Sequence, residues 1–187
     1  NPNHRSRLVG KEFNQGEQEG LFAATPPLEA LRALVSEAAT VESAEKWGEA
    51  VVMINDVARA FFEAPATRNI CVELPTEALE NGEEPGEWVG KLIMSLYGTR
   101  DAAFNFQNEV RNFMVRNGFI QGKYNPCTYL HREKGIRTMV HGDDFVSCGE
   151  REAVRWFENK LKGRFEIKTK VVGNGPGEAK EARVLNT

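Results

Sequence analysis

The chain is poor in the residues that cross-link a fold or cage a metal. It has only three cysteines and three histidines among 187 residues. Cys71, Cys127 and Cys148 are odd in number and far apart, so reduced thiols inside a cell are expected, not a disulfide framework. His4, His131 and His141 stand at zinc-ligand intervals from none of them, which excludes a zinc finger or ribbon. No apolar run approaches the roughly 20 residues that cross a bilayer. The opening stretch NPNHRSRLVGKEF has neither an initiator Met nor the apolar core of a signal peptide. The chain therefore reads as a piece of something longer, intracellular (cytoplasmic or nuclear) and not secreted. Internal repeats and long low-complexity segments are also missing. Gly173-x-Gly175-x-Gly177 has the wrong spacing for a nucleotide fingerprint and reads as a flexible loop.

What is present is an ordinary globular composition, 41% hydrophobic and 27% charged. The net charge of -3 argues against a general nucleic-acid binder. The charges are unevenly placed, however. His4, Arg5, Arg7 and Lys11 open the chain with no acid among them, whereas Glu77, Glu80, Glu83, Glu84 and Glu87 crowd one loop with no base. Such an arm and loop set up local fields that the net charge conceals.

TPPLEALRALVSEAAT reads as a helix capped by Thr25, with Leu28, Leu31, Leu34, Val35 and Ala38 on one face. EAVVMIND is a short apolar strand ending on Asp56. ICVEL and WVGKLIMSLYG are also strand-like. RDAAFNFQNEVRNFMVRNG is the longest helical pattern, with Gly118 as its stop. Short strands follow, then a helix with Val154, Phe157 and Leu161 inward, then the strand RFEIKTKVV. The expectation is an α+β fold, an antiparallel sheet with helices on one face.

TMVHGDDFVSCG places two adjacent aspartates between two alternating apolar runs. Gly142, Asp143 and Asp144 then fall at or beside a hairpin turn, and Asp56 can reach the same sheet edge. Three converging carboxylates repel one another unless a divalent cation neutralises them, and an oxygen-rich site with few ligands suits magnesium. The alternative from spacing alone is a set of solvated turn aspartates that cap nearby amides.

In order along the chain, RSRLVGKEFNQ, LFAATPPLEALRALVSEAA, INDVARAFFEAP, ICVELP, LIMSLYGTRDAAFNFQ, GFIQGKYNPCTYL and VHGDDFVSCG resemble motifs of one family. It is the reverse transcriptase domain of copia-type long-terminal-repeat retrotransposons, and the likeness runs over roughly residues 5 to 170. The resemblance implies a polymerase fingers-and-palm fold in a single partial domain. Residues 1–49 and 63–95 would be fingers-like and 50–62 and 96–172 palm-like. Residues 173–187 would be a loop and the start of a truncated primer grip.

The implied activity is RNA-directed DNA polymerase, a nucleotidyltransferase adding deoxynucleoside triphosphates to a primer 3′-hydroxyl on an RNA or DNA template. Asp56, Asp143 and Asp144 would be the catalytic, metal-binding triad of a two-metal nucleotidyl transfer, with two Mg2+ ions as cofactor and Mn2+ as a substitute. Arg7, Lys11, Phe61, Tyr97, Gly98 and Arg100 would bind the nucleotide. Phe61 stands five residues after Asp56, where the family has an aromatic that packs under the incoming sugar and crowds a 2′-hydroxyl.

The sequence also departs from the family pattern. His141 replaces a Tyr, and Gly142 replaces a branched residue, which should loosen the turn. Arg100-Asp101-Ala102-Ala103 replaces Lys-Gln-Ala-Pro, adding an acid near a phosphate path, and Phe22-Ala23-Ala24 replaces Phe-Ala-Pro. Thumb, RNase H and integrase, the rest of such a polyprotein, would lie elsewhere. The competing reading is a decayed retroelement relic that at most binds nucleic acid or a protein partner. No membrane association is expected.

Overall fold

The computed structural model describes residues 8–13, 16, 21–40, 50–80, 82–84 and 86–184. Helix α1 spans Leu28–Ala38, α2 Ala102–Arg116 and α3 Arg151–Lys162. The strands are β1 Ala50–Val57, β2 Cys71–Glu73, β3 Val89–Lys91, β4 Ile120–Gln121, β5 Thr128–His131, β6 Ile136–His141, β7 Asp144–Glu150 and β8 Ile167–Val172. The protein is thus mixed α+β. It divides into two compact units, Asn1–Ala23 with Arg59–Glu109, and Ala24–Ala58 with Val110–Thr187.

The second unit is built on a six-stranded sheet of order β4-β5-β6-β7-β1-β8, with every neighbouring pair antiparallel. Its helices lie on both faces, not on one as the sequence suggested. Leu31 and Leu34 of α1 pack with Met139, Val146 and Cys148, and Val52 and Ile54 join them. On the other face of β1, Val51, Met53, Asn55 and Val57 are buried. There α3 packs on β1, β7 and β8 through Val154, Phe157 and Leu161. Phe157 meets Phe113 and Phe119, and Phe165 meets Phe113 and Phe145. The physical reason is in β1 itself: its unbroken apolar run needs cover on both sides. Each fully buried Phe, Met or Val contributes roughly 1.5–3 kcal/mol.

Helix α1 starts later than its sequence suggests. Pro27 occupies the cap position in an extended conformation, without a side-chain cap bond. Thr25 is not the cap because two prolines hold the intervening backbone extended. Of its expected apolar face, Leu28 and Val35 are exposed.

The glycine-rich stretch after β8 is a loop of bends and turns gathered by Glu178. The Glu178 carboxylate accepts from the Gly175 amide at 2.7 Å and from the Arg151 guanidinium at 2.7 and 3.0 Å. These bonds hold the Glu178 carboxyl down at about 2.

The first unit holds the two-stranded β2–β3 sheet, the 3-10 turn Ala60–Glu63 and the first turns of α2. Only Val89–Lys91 of the expected WVGKLIMSLYG strand pairs as a strand. No helix among the described residues is long and apolar enough to cross a membrane.

Candidate active site

Strand β1 delivers Asp56 and the β6–β7 hairpin delivers Asp143 and Asp144, all within the second unit. The register places Asp56 directly opposite Asp144, and Asp144 directly opposite His141. On the far side of β1, Asp56 is opposite Lys168 of β8. Directly opposed residues of an antiparallel pair share a face. One row therefore crosses four strands at the sheet end: His141, Asp144, Asp56, Lys168. The row lies on the face that α1 covers, beyond the apolar pairs Ile54–Val146 and Val52–Cys148.

Asp143 occupies the turn with Gly142, between β6 and β7. Gly142 adopts a φ of 60°, and Arg59 alone among the described non-glycine residues has a positive φ. A glycine at positive φ in the first central position of a two-residue hairpin suits the right-handed twist of the strands. Gly142 thus fits the turn without strain instead of loosening it. The Asp143 carbonyl also accepts from the Val57 amide at 3.0 Å, tying the turn to the end of β1.

The electrostatics follow from this convergence. Burial, then the charges of Asp143 and Asp56, push the Asp144 carboxyl above its ordinary range, with His141 opposing them. Asp56 is exposed and Asp144 half-buried. Among the described residues no group of three or more His, Cys, Asp or Glu is arranged so that it could hold a metal ion. The donors are nonetheless of the kind that Mg2+ takes. They are hard carboxylate oxygens at an open sheet end, and Mg2+ takes one or two carboxylates and completes its shell with water and substrate phosphates.

The other sequence candidates fall in the first unit, except Arg7, which lies outside the described residues. Lys11 is exposed on the wall of a groove of about 710 Å³ lined also by Val72, Leu74 and Leu96. Phe61 is half-buried, its ring 4.5 Å from that of Tyr97 and 6.3 Å from that of Phe106. Phe62 is exposed, its ring perpendicular to that of Tyr97 with centroids 5.4 Å apart. Gly98, at φ 89°, leaves no room for a Cβ because the Gly10 backbone lies against it. The Gly10 amide donates to the Tyr97 carbonyl at 2.6 Å. Arg100 donates to the Gly16 carbonyl at 2.8 Å, and its amide donates to Glu12.

Asp101 is not the free acid near a phosphate path that its sequence position suggests. It is buried and pairs with Arg68 at 2.7 Å, while Arg68 also grips Glu12 with two bonds of 2.8 Å. Bonds from Arg68 hold both carboxyls below their ordinary range. Asn105 completes the bracket by donating to Asp101 at 3.1 Å.

Sequence reading missed Lys168 and the Glu12–Arg68–Asp101 bracket. The alternation in IKTKVV was the available signal for Lys168, since it puts two lysines on one face of an edge strand. Nothing local marked the bracket, whose members come from three separate stretches. No protein-family model matches the chain.

Proposed function

We propose that this chain is the fingers-and-palm part of an RNA-directed DNA polymerase, a reverse transcriptase of the copia retrotransposon type. The observation that carries the reading is the direct pairing of Asp56 with Asp144 beside the Asp143 turn. Two sequence motifs of the resembled family thereby meet at one sheet end. In this reading Asp56 and Asp143 hold both metal ions and Asp144 supports them, its charge favoured by His141. Bound there, Mg2+ would supply Lewis-acid activation of a primer 3′-hydroxyl and neutralise charge on the leaving pyrophosphate. The 3′-oxygen forms a bond to the α-phosphorus of a deoxynucleoside triphosphate, pyrophosphate leaves, and the hydroxyl proton passes to solvent.

Primer extension on an RNA template, with Mg2+ and then Mn2+, tests the proposal. Extension by the chain that Asp143→Asn abolishes supports it. Silence with both metals, repeated after downstream polyprotein residues are restored, would make the relic the correct reading.

A further inference from the structure

The row across the sheet end has a cationic continuation that the triad does not use. Lys168 stands opposite Asp56, and Lys170 stands opposite Ile54 on the same face of β8. Both are exposed, and neither makes an ion pair or side-chain hydrogen bond among the described residues. The two cations lie about 6.8 Å apart along the strand, on the order of the spacing between consecutive phosphates of a nucleic-acid strand.

Protection of an open sheet edge explains exposed lysines in general. It does not require that both share the carboxylate face. A polyanion approaching three carboxylates meets repulsion, and in a chain of net charge -3 that repulsion has to be offset locally. Lys168 and Lys170 are placed to do so on the β8 side of Asp56.

We propose that Lys168 and Lys170 hold the phosphate backbone of the nucleic-acid strand whose end is presented to Asp56, Asp143 and Asp144. The proposal rests on the polymerase reading and names positioning residues for it. Neither lysine enters the chemistry; both set where the strand lies.

The test is equilibrium binding of a labelled DNA primer annealed to an RNA template, followed by fluorescence anisotropy across a salt series with EDTA present. Binding is then read without synthesis or metal. Lys168→Gln with Lys170→Gln lowers the slope of log affinity against log salt by about 1.8, two phosphates at about 0.9 each. Lys123→Gln with Arg132→Gln, exposed cations elsewhere on the same unit, leaves the slope as it was. An unchanged slope in the lysine pair overturns the inference, as does an absence of salt-dependent binding by the unaltered chain. Failure here is separable from failure of the polymerase reading. Extension with an unchanged slope sinks only the lysines. A lowered slope with no extension, even with the downstream residues restored, sinks the polymerase and leaves the two phosphate contacts standing.

Discussion

Two glycines show how differently single positions are constrained. At Gly98 both the φ of 89° and the Gly10 backbone forbid a side chain, whereas at Gly142 a Cβ meets nothing within 4 Å. Gly98→Ala therefore costs backbone strain plus overpacking, about 2–4 kcal/mol, while Gly142→Ala costs strain alone, about 1–2 kcal/mol. Urea unfolding of the full chain measures both, and equal costs would remove the close approach of Gly10 from the account. Asp144 makes the opposite prediction. Its carboxyl is raised in the fold, so the ionised form is penalised at neutral pH and the penalty fades as pH falls through the folded value. Asp144→Asn should raise stability by about 0.5–2 kcal/mol, a gain typical of relieving a strained functional group, while ending the synthesis proposed for the chain. A lower melting temperature at neutral pH would contradict it.

Among the elements, the bracket of Glu12, Arg68 and Asp101 ties the opening segment of the chain to the start of α2 within one unit. Both carboxyls are lowered in the fold, so their contribution is full above the ordinary carboxylate range and is lost as pH falls through the folded values. Acid unfolding should therefore begin below about pH 4.5. Asp101→Asn should flatten this limb and cost about 1–3 kcal/mol at neutral pH, discounted because Arg68 is partly exposed and keeps Glu12. An unaltered acid limb in the variant would show that Asp101 does not carry it. Local patterns made most elements legible: α2, α3 and β8 lie where periodicity put them, because amphipathic spacing and local turns set them. The second helical layer was not, since α1 shows an apolar face without showing which side of the sheet it covers. WVGKLIMSLYG misled because apolar residues exposed in short pairings, such as Val89 and Ile93, look like strand core.

In the whole molecule, the candidate site was half legible. Asp143 and Asp144 are adjacent in sequence, and the hairpin around them was readable from alternation and Gly142. The meeting of Asp56 with Asp144, and the flanking His141 and Lys168, depend on the order β6-β7-β1-β8, which no local signal specifies. The central proposal is that β1 and the β6–β7 turn together hold the divalent cations of the site. Metal-directed backbone cleavage tests it most directly, with Fe2+ replacing Mg2+ and ascorbate and peroxide generating radicals at the bound ion. The account predicts two cuts, one beside Asp56 and one beside Asp143–Asp144, both suppressed by excess Mg2+ and both lost in Asp56→Asn. Cleavage at only one of these places, or equal cleavage in Asp56→Asn, would contradict it.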